Sequence, residues 1–150
     1  MARILKPTGL DLLVYYIPNM DQKRSFVFES GFPGFPGLRK FRLEKDEAIE
    51  PLEWLVSVES PEIRFIVVNP MFFRPDYAPR LTKEHMNSLN IHKKEDLRIL
   101  VIVTLSENYE ESTANLASPI MFNINEYKAV QLMIDDGLYS HTEPIFAEGI

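Results

Sequence analysis

A chain of 150 residues, 45% hydrophobic and 25% charged, has the length of one domain and can bury about two-thirds of its unfolded surface. It contains no cysteine, which excludes a disulfide framework, a cysteine zinc finger and a thiol nucleophile, and suits a reducing compartment. The net charge of -6 gathers in residues 107–150, where eight acidic residues face Lys128 alone, giving -7 there and +1 elsewhere. Direct nucleic-acid binding calls for the reverse, a basic stripe, and is disfavoured.

Near the amino end, Thr8, Gly9 and Asp11 interrupt the apolar run after Arg3 and Lys6, so neither a signal peptide nor a membrane span is expected. Cytoplasm is the default, with Met1 as the start. Residues 10–17 (LDLLVYYI) read as a strand ending at Pro18, and 19–24 as a polar turn. In 25–28, Phe26 and Phe28 alternate with smaller residues. The segment 31–37 (GFPGFPG) then offers two Pro-Gly pairs, each suited to a type II turn, with Phe32 and Phe35 expected to anchor the turns to the core.

Residues 41–44 alternate as a half-exposed strand, followed by a charged loop over 45–50. Over 52–58, Leu52, Trp54 and Val56 fall on one face and Glu53, Leu55 and Ser57 on the other. Residues 65–68 are a buried strand between Ser60-Pro61 and Asn69-Pro70. Pro70 and Pro75 exclude a helix interior for Met71, Phe72 and Phe73 and predict an extended loop or edge. Those three side chains either return to the core, the favoured reading, or form a docking surface.

One short helix is expected near 82–90, with Thr82 as N-cap, a Leu81–Met86 staple and an apolar stripe of Met86 and Leu89. Residues 97–105 (LRILVIVTL) are the expected central strand, buried on both faces, and 106–113 an acidic loop. Residues 114–123 read as a strand broken at Pro119, 130–135 as another strand, and Asp135-Asp136-Gly137 as a turn, with Pro144 making the last segment irregular. Seven or eight short strands with one helix predict an all-β, compact barrel-like single domain over 1–150.

The chemistry is sparse. His85, His92 and His141 lack metal-ligand spacing, and there is no phosphate loop or serine elbow, so no metal, no cofactor and no catalytic residue are expected. The pairs Glu110-Glu111 and Asp135-Asp136 read as solvated loop charge before a catalytic dyad. Asp76 reads first as a cap for the next turn, with Tyr77 covering it, and second as a contact on a binding rim. Asn115, polar within an apolar strand, is expected to bond neighbouring backbone. The partner-binding candidates are Phe72, Asp76, Tyr77, Asn115, Asp135 and Asp136.

Five blocks carry a wider resemblance: GFPGF from Gly31, WLVSVESP from Trp54, FIVVNPMFFRPDY from Phe65, EDLRILVIVT from Glu95 and TANLASPI from Thr113. Their order and spacing over 31–140 resemble the flagellar assembly factor family FliW. The chain departs from that pattern at Glu29, where the family has proline, and at Thr142-Glu143-Pro144, and its first 30 residues match weakly. The resemblance implies a non-enzymatic cytoplasmic regulator with a small barrel-like fold and no cofactor or membrane partner. It implies two alternative protein partners, flagellin and the RNA-binding translational repressor CsrA; factor freed from flagellin binds CsrA and relieves repression of flagellin synthesis. The competing reading is a small all-β ligand-binding or carrier protein, with Trp54, Phe72 and Phe73 lining its cavity.

Overall fold

The computed structural model describes residues 24–146. The strand expected over 10–17, and the turn after it except for Arg24, lie outside the described residues. Among these residues the chain forms nine strands: β1 (Phe26–Val27), β2 (Lys40–Lys45), β3 (Glu53–Ser57), β4 (Arg64–Val68), β5 (Leu97–Thr104), β6 (Thr113–Ala114), β7 (Ile120–Asn123), β8 (Lys128–Gln131) and β9 (Glu143–Pro144). One α-helix, α1 (Lys83–Ser88), lies between β4 and β5.

Seven strands close a barrel in the order β4-β3-β2-β1-β8-β7-β5, with β5 returning to β4. Neighbours along the chain pair antiparallel, up and down. With an odd number of strands, the first and last then run the same way, so the β1–β8 seam is parallel and joins Val27 to Lys128. Along the edge of β5 shared with β7, β6 takes the carboxy-terminal end, and β9 adds to β6.

Alternation along the strands sends one set of side chains inward. Every barrel strand contributes to that interior: Phe26, Phe41, Leu43, Leu55, Val67, Leu100, Ile120, Phe122 and Ala129, joined by Phe28 and Phe32 from the flanking turns. The rings meet edge-on, Phe26 with Phe122 at 4.9 Å and Phe28 with Phe41 at 5.3 Å, so side chains fill the interior. A carrier cavity lined by Trp54, Phe72 and Phe73 is therefore not what this fold builds. Trp54 faces outward on β3, its Nε1–H donating to Asp46 at 3.2 Å, while Phe72 and Phe73 join a cluster outside the barrel.

Two outer clusters cover the barrel wall. The first places Phe73, Tyr77, Leu116 and Ile145 over Val68, Val101 and Val103. The second packs Leu81, Met86, Leu89 and Ile91 around α1 onto Met121, Leu132 and Val130. Helix α1 has the expected N-cap: Thr82 Oγ1 accepts from His85 N–H at 3.1 Å, and the Thr82 N–H donates to His85 Nδ1 at 3.1 Å. The barrel interior on one side and the outer layer on the other bury the middle of β5 on both faces, as its sequence predicts; Leu105 beyond it is exposed.

Several local expectations are corrected. Residues Pro70–Phe72 form a 3-10 turn, not an extended loop, because proline fits the first helical position and Asn69 Oδ1 caps the Met71 N–H at 3.0 Å. The Pro33-Gly34 turn closes with Gly34 at φ 85°, as type II requires, whereas Gly37 has no positive φ although the Leu38 N–H still reaches Phe35 O at 2.9 Å. Phe32 is buried there, but Phe35 is 37% exposed and meets the Phe65 ring edge-to-face at 6.0 Å. Strand β8 ends at Gln131, since the Leu132 and Ile134 N–H groups bond to Pro119 O and Ala117 O in the irregular break between β6 and β7. Pro144, expected to be irregular, pairs with Thr113 in β9, where its missing N–H is tolerated at an edge.

Candidate functional site

The loop 69–79 stands over the outer face of β4 and β5. Its alternatives resolve residue by residue: Phe73 is 4% exposed and belongs to the core, Phe72 is half-buried against the same cluster, and Met71 is 36% exposed. Between this loop and the start of β5 lies a cleft of about 330 Å³. Its loop wall is Asn69, Pro70, Met71, Tyr77 and Pro79; its other wall is Lys94, Glu95, Leu97, Arg98 and Ile99.

At the inner edge of the cleft, Arg98 turns into the barrel. Register places it opposite Phe122, and Glu53 opposite Val67, both inward positions. The Arg98 guanidinium forks onto both carboxylate oxygens of Glu53, which is 6% exposed. This ion pair supplies partners for two charges that the apolar interior could not otherwise hold.

The outer side of the loop is tied to the carboxy-terminal segment. Arg74 donates from Nε to Asp76 at 3.0 Å and from Nη1 to Glu143 at 3.1 Å, and its guanidinium lies 5.5 Å from the Tyr139 ring centre. The hydrogen bond that Arg74 donates to Asp76 raises the Arg74 pKa from the ordinary arginine value; desolvation opposes this, while the charges of Asp76, Glu143 and Tyr139 add to it. Tyr139 meets Tyr77 edge-on at 4.7 Å and accepts the Ala78 N–H at 2.8 Å through its hydroxyl. Tyr77 is buried and its hydroxyl donates to Leu116 O at 2.7 Å. Burial, with the nearby charges of Tyr139 and Asp136, pushes its phenol well above the usual tyrosine range, so it stays a donor.

The structure thus links four of the six candidates. Asp76 reaches Tyr139 through Arg74, and Tyr77 packs on Tyr139 directly. Asn115 joins the same segment through its Oδ1 contact with His141 Nδ1 at 3.1 Å and the neighbouring Leu116 N–H bond to Ser140 O at 3.0 Å, while Asp136 acts on Tyr77 through its charge. Asn115 therefore finds a side-chain partner where neighbouring backbone was expected. Asp135 and Asp136 are exposed at the turn, with Asp136 Oδ1 accepting the Leu138 N–H at 3.0 Å. Phe72 lies in the same outer cluster as Tyr139. Arg74, Tyr139, Glu143 and the Glu53–Arg98 pair were not singled out from sequence. The available signal was an arginine between two prolines of a motif, without any indication of its partner.

The residues 17–145 match the family model described as FliW protein. A flagellar assembly factor FliW from Caldanaerobacter subterraneus is 39% identical over 133 residues, covering 88% of this chain and 89% of that protein. Another from Bacillus licheniformis is 36% identical over 129 residues, covering 86% and 90%. A crystal structure of the flagellar assembly factor FliW superposes with a TM-score of 0.80 at 28% identity, covering 91% of this chain and 96% of that one.

Proposed function

The chain belongs to the FliW family of flagellar assembly factors, and from that premise we propose that it acts by partner switching between flagellin and the translational repressor CsrA. Bound to flagellin it is silent toward the repressor; released as flagellin is secreted, it binds CsrA and relieves repression of flagellin synthesis. It works in the cytoplasm without cofactor and without catalysing a reaction. No helix among the described residues is long and apolar enough to cross a membrane.

The observation that carries this reading is the linked face formed by the 69–79 loop, the Asn115–Leu116 pair and the 136–143 segment. It joins buried aromatic anchors to exposed carboxylates, a combination suited to a protein partner. The acidic third of the chain complements a basic RNA-binding protein and repels phosphate backbone. Phe72, Asp76, Tyr77, Asn115, Asp135 and Asp136 are the proposed contact set, with Tyr77 acting from beneath.

Calorimetric titration with purified flagellin and with purified CsrA, followed by addition of each to the other's complex, tests the proposal. The expected result is binding to both and exchange between them. Absence of binding to either protein overturns the switching mechanism.

A further inference from the structure

The cleft-wall loop and the acidic carboxy-terminal segment are far apart in sequence, and the Arg74 side chain is one of those that bridge them. Arg74 holds Asp76 within its own loop, Glu143 on β9 and the face of Tyr139 at the same time. Its side chain is only 25% exposed and that of Glu143 17% exposed, so the contact with Glu143 is sheltered from solvent screening in a way that most surface pairs are not. Around this contact, Tyr139 receives the Ala78 N–H and packs on Tyr77, which lines the cleft.

We propose that Arg74 is a positioning residue for the partner-binding face, fixing the 69–79 loop against the 136–143 segment so that a basic partner meets both as one surface. The inference rests on the proposed function and adds to it a residue that need not touch the partner. Geometry explains why arginine is required. A planar fork can donate in two directions while its flat face stacks on a ring; a lysine ammonium offers a point charge on a flexible stem. Without the bridge, Asp76 and Glu143 each lose a common cation, and the two stretches stay joined through the Tyr139 contacts with Ala78 and Tyr77, a looser tie that permits small loop motions. A partner would then have to order them on binding, at a cost in affinity.

The test uses the full chain with purified CsrA as probe. Arg74→Ala is expected to weaken binding at least tenfold, with faster amide exchange at Ala78 and across 136–143, while exchange in β2 and β3 is unchanged. Arg74→Lys, which keeps the charge and guards against loss of folding in the alanine variant, is expected to weaken binding to an intermediate degree. Glu143→Gln in the Arg74→Ala background should add little further loss, since the two act through one contact. Wild-type affinity in both Arg74 variants overturns the inference. Failure of the wild-type chain to bind CsrA instead overturns the proposed function, so the two failures are distinguishable.

Discussion

Tyr77 shows how one buried polar group can be read in both stability and pH. Its hydroxyl bonds Leu116 O from a site where ionisation is unfavourable, so its folded pKa lies above the unfolded value. Stability from this group is complete below the unfolded tyrosine pKa of about 10 and declines as pH rises toward the folded one. Tyr77→Phe should cost about 1 to 3 kcal/mol at neutral pH by leaving the buried carbonyl unpaired, and should flatten the alkaline limb of the stability curve. Denaturant melts at neutral pH and above pH 10 check both expectations. The ion pair inside the barrel makes a second prediction. Arg98→Ala strands the buried Glu53 carboxylate and should destabilise by about 3 to 5 kcal/mol, whereas replacing both residues by apolar ones of similar volume should recover most of that loss. If the single and double variants melt together, Arg98 contributes by packing, not charge.

At the scale of elements, the loop and the helix illustrate what a local pattern encodes. Phe73→Ala should cost about 3 to 5 kcal/mol, measured by urea unfolding, because its ring is enclosed in the outer cluster. Phe72→Ala should cost less and weaken partner binding, its ring being half-buried. The proline-framed motif identified the loop, but not which of its three apolar side chains turns inward, because that depends on the phase of a 3-10 turn set by Asn69. Helix α1 was legible from Thr82, Leu81 and Met86, since capping and stapling are contacts of a few residues' range. The reciprocal role of His85 was not. Replacing it by Glu, the usual residue at the third helical position of such a box, should preserve the helix, while Thr82→Ala should cost about 1 kcal/mol by thermal melting. Arg74 was illegible for the opposite reason: its partner Glu143 stands 69 positions away. The strand expected over 130–135 stopped early because alternation reports a face, not the presence of a regular neighbouring strand to pair with.

For the whole molecule, charge sets how the proposed complex responds to its surroundings. With -7 concentrated in 107–150, the association rate with CsrA should fall as salt rises, because exposed charges are screened beyond about 8 to 10 Å at ordinary ionic strength. Stopped-flow rates independent of salt would remove the acidic face from the interface. The barrel-like all-β fold was legible in the short strands and closely spaced turns, whereas the strand pairing that closes the barrel was not. β1 has two residues, and its link to β8 includes a single register pair, the Val27 N–H bond to Tyr127 O at 2.8 Å and the Phe26 ring against Tyr127 at 5.1 Å. That seam carries a consequence for a chain emerging from the ribosome. Six of the seven junctions join strands that follow one another around the meander, and each can form as soon as its second strand is synthesised. The seventh must wait for Lys128, and until then the hydrophobic lining stays open along one side. Completion of the last fifth of the chain therefore turns a curled, adhesive sheet into a sealed cylinder, and a nascent chain stalled before Tyr127 should bind a hydrophobic dye that the finished protein excludes.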